Sequence, residues 1–336
     1  MSRSRVATLL ARIDPYLLAL FGVVALASLL PARGAVAPVI DKLTDLAITF
    51  LFFLYGARLS PQEAWEGARN VRLHVLVLSF TYVLFPLLGL ATRALSPWLI
   101  TPELYVGLVF LGALPSTVQS SIAFTSIARG NVAAALCAAS ASNLLGVLIT
   151  PLLVALMLSS EGVSLSTASI QKLVLQLLAP FALGQLLRPR IGGFVTRHKK
   201  VLGLVDRGSI LLVVYSAFSE GVVAGIWQQL SLGALLGLGL VCTLLLALVL
   251  ALTTVVSRRL GFDTADEIAI VFCGSKKSLA SGLPMASVLF PASTVSLTVL
   301  PLMLFHQIQL VACAWLARRY AARPREAPVA APATPH

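Results

Sequence analysis

Apolar residues run along this chain in blocks of roughly 18 to 28 positions, separated by short polar stretches. At about 1.5 Å of rise per residue, a helical block of that length crosses a hydrocarbon layer of about 30 Å. A transmembrane barrel would instead show alternating segments of about ten residues. The blocks predict ten helical spans, at about 14–32, 39–57, 71–92, 103–128, 131–158, 166–188, 203–227, 231–256, 264–290 and 295–317. Composition agrees: 336 residues that are 58% hydrophobic and 11% charged hold too little polar surface to cover a water-soluble globule. The expected fold is an all-α membrane protein, and the lipid bilayer is its first partner.

Charge changes the picture by its placement. A net charge of +12 would suit a nucleic-acid partner, but the bases fall in alternate loops rather than on one module, so none is expected. One side carries Arg3, Arg5 and Arg12, then Arg58, Arg69 and Arg72, then Arg129, then Arg188, Arg190, Arg197, Lys199 and Lys200, then Arg258 and Arg259, and finally Arg318, Arg319, Arg323 and Arg325. The opposite loops offer little beyond Arg33, Lys42 and Arg93. The positive-inside rule then puts both termini in the cytoplasm of an inner or plasma membrane, which requires an even number of spans. Residues 1–13 read as a basic cytoplasmic arm, 14–320 as the membrane domain and 321–336, rich in Pro and Ala, as a disordered cytoplasmic tail. The basic arm, the first apolar run and the small residues near Ala35 to Ala37 also fit a signal peptide. The four cysteines lie inside apolar blocks without metal-ligand spacing and read as small packed hydrophobes.

An internal repeat follows. LFFLYGA, Leu51 to Ala57, matches LLVVYSA, Leu211 to Ala217, 160 residues later, and the same offset maps Pro115-Ser116-Thr117 onto Ser275-Lys276-Lys277. Five spans in each half, about 14–160 and 166–320, make the repeat inverted. The matched segments lie in spans four and nine, the two apolar blocks most interrupted by polar residues. Span four holds Pro115, Ser116, Thr117, Gln119, Ser120 and Ser121 at mid-depth, where Pro115 frees carbonyls and the hydroxyls and amide can ligate an ion or solute. A proline kink with self-bonded hydroxyls explains span four alone equally well. Span nine holds Ser275, Lys276, Lys277 and Ser278, and an ammonium at the bilayer centre costs about 3 kcal/mol on insertion scales. On a regular helix these lysines point about 100° apart, so one would line the site and the other snorkel or face the partner broken helix. Two short pieces around a loop are the other reading of span nine; broken half-helices meeting at the midplane put terminal partial charges where unwound backbone is exposed. Ser140, Ser142 and Asn143 sit deep in span five as small polar residues that join helices, and His306 with Gln309 forms a stripe at helical spacing. Asp45, Asp206 and Arg207 lie near span ends and read as interfacial.

At these two spans the sequence resembles the bile acid:sodium symporter superfamily, in the branch similar to solute carrier family 10 member 7. The resemblance rests on LTDLAITFLFFLYGARL, GALPSTVQSSIAFTSIARGN, SASNLLGVLITPLL and FCGSKKSLASGLPMASVLFP, and runs over essentially residues 10–320. It implies ten helices in two inverted five-helix repeats, a panel and a core domain, and unwound, crossing helices four and nine. Sodium-coupled members hold sodium with a carboxylate in the helix-nine crossing and a Ser-Asn pair in helix four. Here the carboxylate position falls at or near Val271, no acid follows Glu267 in that span, and the pair reads Ser120-Ser121 or Ser121-Ile122. The usual sodium cage is not reproduced, so either a lysine ammonium replaces sodium or a titrating lysine couples transport to protons. The coupling ion stays open between H⁺ and Na⁺; no cofactor or metal is expected.

The function expected is a secondary transporter working by alternating access on a small solute, an organic anion drawn to Lys276 or Lys277. The site expected comprises Pro115, Ser116, Thr117, Gln119, Ser120, Ser121, Ser140, Asn143, Ser275, Lys276, Lys277, Ser278 and His306. The alternative is a membrane regulatory protein that affects calcium homeostasis without transport. A Ser/Lys hydrolase using Ser275 or Ser278 lacks any evident oxyanion-stabilising element, so the chain is not expected to be an enzyme. A homo-oligomer is compatible with the sequence.

Overall fold

In a computed structural model of the protein, residues 15–58, 70–159, 171, 174–225, 228 and 230–323 are described; the basic arm and residues 324–336 of the tail lie outside them. All regular elements among the described residues are helices: α1 (Pro15–Leu29), α2 (Ala37–Arg58), α3 (Val71–Leu95), α4 (Pro102–Ala113), α5 (Gln119–Ile127), α6 (Val132–Leu158), α7 (Ala179–Arg197), α8 (Lys199–Val223), α9 (Leu232–Arg259), α10 (Thr264–Gly274), α11 (Leu279–Leu289) and α12 (Ala292–Ala321). Five of these, α3, α6, α8, α9 and α12, are long and apolar enough to cross a membrane by length and composition. Their outward faces remain rich in Leu and Val, as lipid contact demands: Leu87, Leu152, Leu236 and Val311 are all exposed.

Side-chain caps set six of the helix starts. Thr101 accepts from Leu104 N ahead of Pro102, Ser231 accepts from Ala234 N, and Asp263 accepts from Asp266 N at 2.7 Å. Asn70 and Asn131 cap α3 and α6 in the same way, and their amides both donate to the carboxylate of Asp266, at 2.8 and 2.7 Å. One acid in the first turn of α10 thus fixes the entry of two other helices. Nearby, Glu267 receives a two-bond grip from Arg258 and the Tyr320 hydroxyl at 2.6 Å.

Packing divides the helices into two groups. α2 lies along α7, α8 covers α1 and α2, and these four form one body. The α2–α7 approach is close enough that a Cβ on Gly56 would run into Phe181 O and one on Gly184 into Phe53 O. The other helices pack on one another around α12, which contacts α4, α5, α9 and α11. α8 joins the groups through α11 and α12. Asp206, expected at the interface with water, is buried inside α8 and paired with Arg58 at the end of α2. Arg58 ends α2 where α8 begins, so the ion pair closes that end of the body instead of facing solvent.

Candidate functional site

The chemistry gathers where two helices stop and restart. Leu114 to Val118 separate α4 from α5, and Ser275 to Ser278 separate α10 from α11, and the two gaps lie against each other. Pro115 has no N–H and cannot sustain the α4 ladder, so the carbonyls at the end of α4 need other donors. Each finds one. Gly112 O and Leu114 O accept from Lys277 Nζ, both at 2.7 Å; Ala113 O accepts from the Thr150 hydroxyl at 2.8 Å; Pro115 O accepts from Ser278 N at 2.9 Å; and Ser116 O accepts from Asn143 Nδ2. Across the gap, the Ser116 and Ser121 hydroxyls donate to Cys273 O and Phe272 O at 2.6 and 2.9 Å.

Lys277 Nζ has a third acceptor, Thr81 O, at 2.9 Å. Its availability follows from the sequence of α3. Residues Phe80–Leu84 form a π turn in which Phe85 N donates to Phe80 O, so Thr81 O would next need an N–H from residue 86, which is a proline. The ammonium supplies the missing donor and also sits 4.2 Å from the centroid of the Phe85 ring. The Lys277 backbone is clamped as well: its N–H donates to Gln309 Oε1 at 2.9 Å, and its carbonyl accepts from Gln309 Nε2 at 3.0 Å. Lys276 is equally buried but differently placed. Its Nζ has no hydrogen-bond partner and lies 4.4 Å from the centroid of the Phe124 ring.

A model of the SBF-like CPA transporter family matches residues 14–322. An uncharacterized protein of Pseudomonas aeruginosa is 58% identical over 319 residues, covering 94% of this chain and 96% of that protein. YfeH of Escherichia coli K12, a symporter by name, is 53% identical over 308 residues, with 92% and 93% covered. The protein named sodium/bile acid cotransporter 7 of Rattus norvegicus is 30% identical over 270 residues, 79% of each chain. The chain belongs to the SBF-like CPA transporter family. It is a multi-pass membrane protein of the transporter class.

In this SBF-like transporter the expected site residues divide. Pro115, Ser116, Ser121, Asn143, Ser278 and Lys277 join in one network, with Asn143 Oδ1 also accepting from Ser281 Oγ at 2.8 Å. Thr117 bonds with the Ser120 and Ser121 hydroxyls at 2.9 and 3.1 Å. Gln119 is exposed and Ser140 is half-buried, and neither takes part in these bonds. His306 Nδ1 meets Gln309 Nε2 at 2.8 Å and so supports the clamp from behind. Of the two placements expected for the second lysine, snorkelling is corrected, since residues 275–278 are not helical and both side chains are 0% exposed, whereas Lys276 does face α5 of the partner interrupted pair through Phe124. The Ser275 hydroxyl donates to Val271 O at 2.6 Å and that of Ser278 to Ser281, so neither is aimed at a lysine.

Several contributors escaped the sequence reading. In the sequence Gln309 stands out only as a neighbour of His306 at helical spacing. Thr150, and Tyr82, whose hydroxyl donates to Ser142 O, look like ordinary residues of apolar spans. Pro86 was a readable signal, a second missing N–H at mid-span. The transporter also has a cavity of about 210 Å³ between its two helix groups, with Asp41, Thr44 and Asp45 of α2, Ser216 and Glu220 of α8 and Ser287 of α11 as its polar lining.

Proposed function

We propose that this chain is a secondary transporter that moves a small solute by alternating access, with ten spans in two inverted five-helix repeats over 14–160 and 166–320. Counting each interrupted pair once, α4 with α5 and α10 with α11, reduces the twelve labelled helices to ten units, which supports this reading. The 160-residue offset carries the gap after Leu114 onto the gap after Gly274, which supports the repeat. In this reading α1, α2, α7 and α8 are the panel, the other helices are the core, and both termini face the cytoplasm.

The observation that carries the proposal is the Lys277 ammonium held by carbonyls of α3 and α4 where the two gaps meet. Helix C-terminal carbonyls at mid-depth attract a cation. In sodium-coupled members of the wider superfamily that cation is sodium; here a side chain provides it, and no acid follows Glu267 before the end of α11. The charge that organises the crossing is then resident, and the coupling ion is the proton. Lys276 is its carrier, with a buried amine that has no hydrogen-bond acceptor and has Cys273 and Cys313 as titratable neighbours. The organic anion suggested by the lysines finds less support: both are fully buried, and the cavity between the helix groups is lined by carboxylates.

Proteoliposomes incubated in a complete metabolite extract under a pH gradient test this reading. The expected result is at least one compound that accumulates over empty liposomes, with accumulation lost when the gradient collapses and in Lys276→Met. Folded wild-type protein that accumulates nothing, or does so only with sodium, overturns it.

A further inference from the structure

The junction of α7 and α8 carries a charge that nothing in the fold offsets. Arg188, Arg190, Arg197, Lys199 and Lys200 fall within residues 188–200, and the chain has no acid from Gly162 to Val205. Arg190, Arg197, Lys199 and Lys200 are exposed. Among the described residues, no side chain or carbonyl pairs with any of the five bases. Other bases in the same set of loops do have partners: Arg58 pairs with Asp206, Arg72 donates to Leu260 O, Arg258 grips Glu267 and Arg323 donates to Arg129 O at 3.1 Å. Unpaired cations side by side repel one another, and a surface rich in anions removes that repulsion.

The position of the junction decides which anion. α8 is long and apolar enough to cross a membrane, and it begins on Lys199 and Lys200. Val201 and Leu204 follow them, Leu183 and Leu186 precede Arg188, and all four are exposed apolar side chains of the kind that faces lipid. Between these two stretches the bases fall at headgroup depth. The last turns of α7 do not stand off into water, since Ile191 and Val195 pack with Leu202 against Phe53, Leu54 and Ala57 of α2. A different face of α7 presents Arg190, Phe194 and Arg197 at i, i+4 and i+7, one stripe with an aromatic ring between two guanidinium groups. Phe194 is 61% exposed, with His198 packed on its ring at 4.2 Å between centroids. An exposed ring flanked by bases suits the boundary between headgroups and acyl chains, where the ring leaves water and the guanidinium groups meet phosphate.

We propose that this junction binds the headgroups of anionic phospholipids, with Arg190, Arg197, Lys199 and Lys200 on the phosphate groups and Phe194 seated among the first acyl methylenes. A zwitterionic headgroup offers the same phosphate but cancels its charge with an ammonium group, so the surface selects lipids of net negative charge. Because α7 and α8 pack with α1 and α2 in one helix group, the lipid fastens that group to its leaflet. The inference goes beyond the transporter reading and does not depend on it, since lipid association is read without any flux.

The test uses the full-length protein with its four native cysteines replaced by alanine and a fluorophore on Gly193→Cys, a position where an added Cβ meets nothing within 4 Å. It is reconstituted in phosphatidylcholine bilayers that contain, at equal mole fraction, nitroxide-labelled phosphatidylglycerol or nitroxide-labelled phosphatidylcholine, and quenching is titrated against label content. The expected result is an apparent association constant at least about fivefold higher for phosphatidylglycerol, falling toward parity in high salt. The same fall is expected in the variant that combines Arg190→Gln, Arg197→Gln, Lys199→Gln and Lys200→Gln. Arg318→Gln with Arg319→Gln, at the end of α12, should leave the preference as it is. Parity of the two lipids before any substitution of a base, a preference that survives the combined variant, or an equal loss in the α12 pair overturns the proposal. A preference indifferent to high salt does so as well, and that measurement needs no substitution of the bases should the combined variant fail to fold. Loss of the preference on adding millimolar glycerol phosphate would make the ligand a soluble phosphate ester and also overturns it.

Discussion

Lys277 donates to three backbone carbonyls that the helices cannot satisfy themselves, whereas Lys276, one residue earlier, donates to none. Burying an ammonium costs several kcal/mol in either place, and only bonds to it offset that cost. Replacement of Lys276 by Met therefore removes a penalty and few compensations, and is expected to leave stability unchanged or raise it by about 1–2 kcal/mol. Replacement of Lys277 by Met orphans three acceptors at about 1–3 kcal/mol each, so that after relief of desolvation the net loss is about 1–3 kcal/mol. Melting temperatures of the two variants in one detergent decide it; shifts of the same sign and size would remove the distinction between a resident and a mobile charge. The lysines, Pro115 and the serines were legible because polar residues stand out in an apolar block. Gln309 and Thr150 were not, since their partners lie 32 and 37 residues away and depend on how the helices pack.

At the scale of helices, two devices hold the site in position, and each makes a prediction. Asp266 accepts from the capping amides of both α3 and α6, and hydrogen bonds to a charged acceptor contribute about 1.5–3 kcal/mol each. Asp266→Ala should lower stability by about 2–4 kcal/mol and speed amide exchange in the first turns of α3 and α6, with α8 unaffected. Exchange that rises uniformly would show that the carboxylate fixes no particular helix. In the other helix group, a methyl group on Gly184 collides with Phe53 O, whereas one on Gly203 in α8 meets nothing within 4 Å. Gly184→Ala should therefore lower the melting temperature, while Gly203→Ala raises it slightly, the gain in stability being about 0.5–1 kcal/mol in a helix interior. Equal effects of the two would mean that α2 and α7 are not in backbone contact. The five long apolar helices α3, α6, α8, α9 and α12 were legible from block length, and the gaps from Pro115 and the Ser-Lys-Lys-Ser run, whereas span six, read as 166–188, corresponds to a helix over Ala179–Arg197. The cap bridge was not, because it joins Asn70, Asn131 and Asp266 across 196 and 135 residues with no local pattern.

For the molecule as a whole, two helix groups joined mainly through α8 would give the proposed alternating access one interface to slide along. Ala217 of α8 and Val295 of α12 line the same cavity from opposite groups, while Gly239 of α9 and Leu304 of α12 lie in the same group, where a Cβ on Gly239 comes within 3.9 Å of the Leu304 side chain. Cysteines placed at each pair and joined by a short bismaleimide give two proteins with the same chemistry and opposite mechanical consequences. Joining positions 217 and 295 fastens the groups together and should reduce uptake of whichever compound the liposome screen identifies to the level of empty liposomes. Joining positions 239 and 304 lies within one rigid group and should leave uptake near that of the unlinked protein. The four native cysteines are first replaced by alanine in both proteins, so that the reagent has only the introduced pair to join. Uptake that survives the first link would mean that the groups do not move against each other; loss of uptake in both would mean that motion inside the core, at the two gaps, drives the cycle.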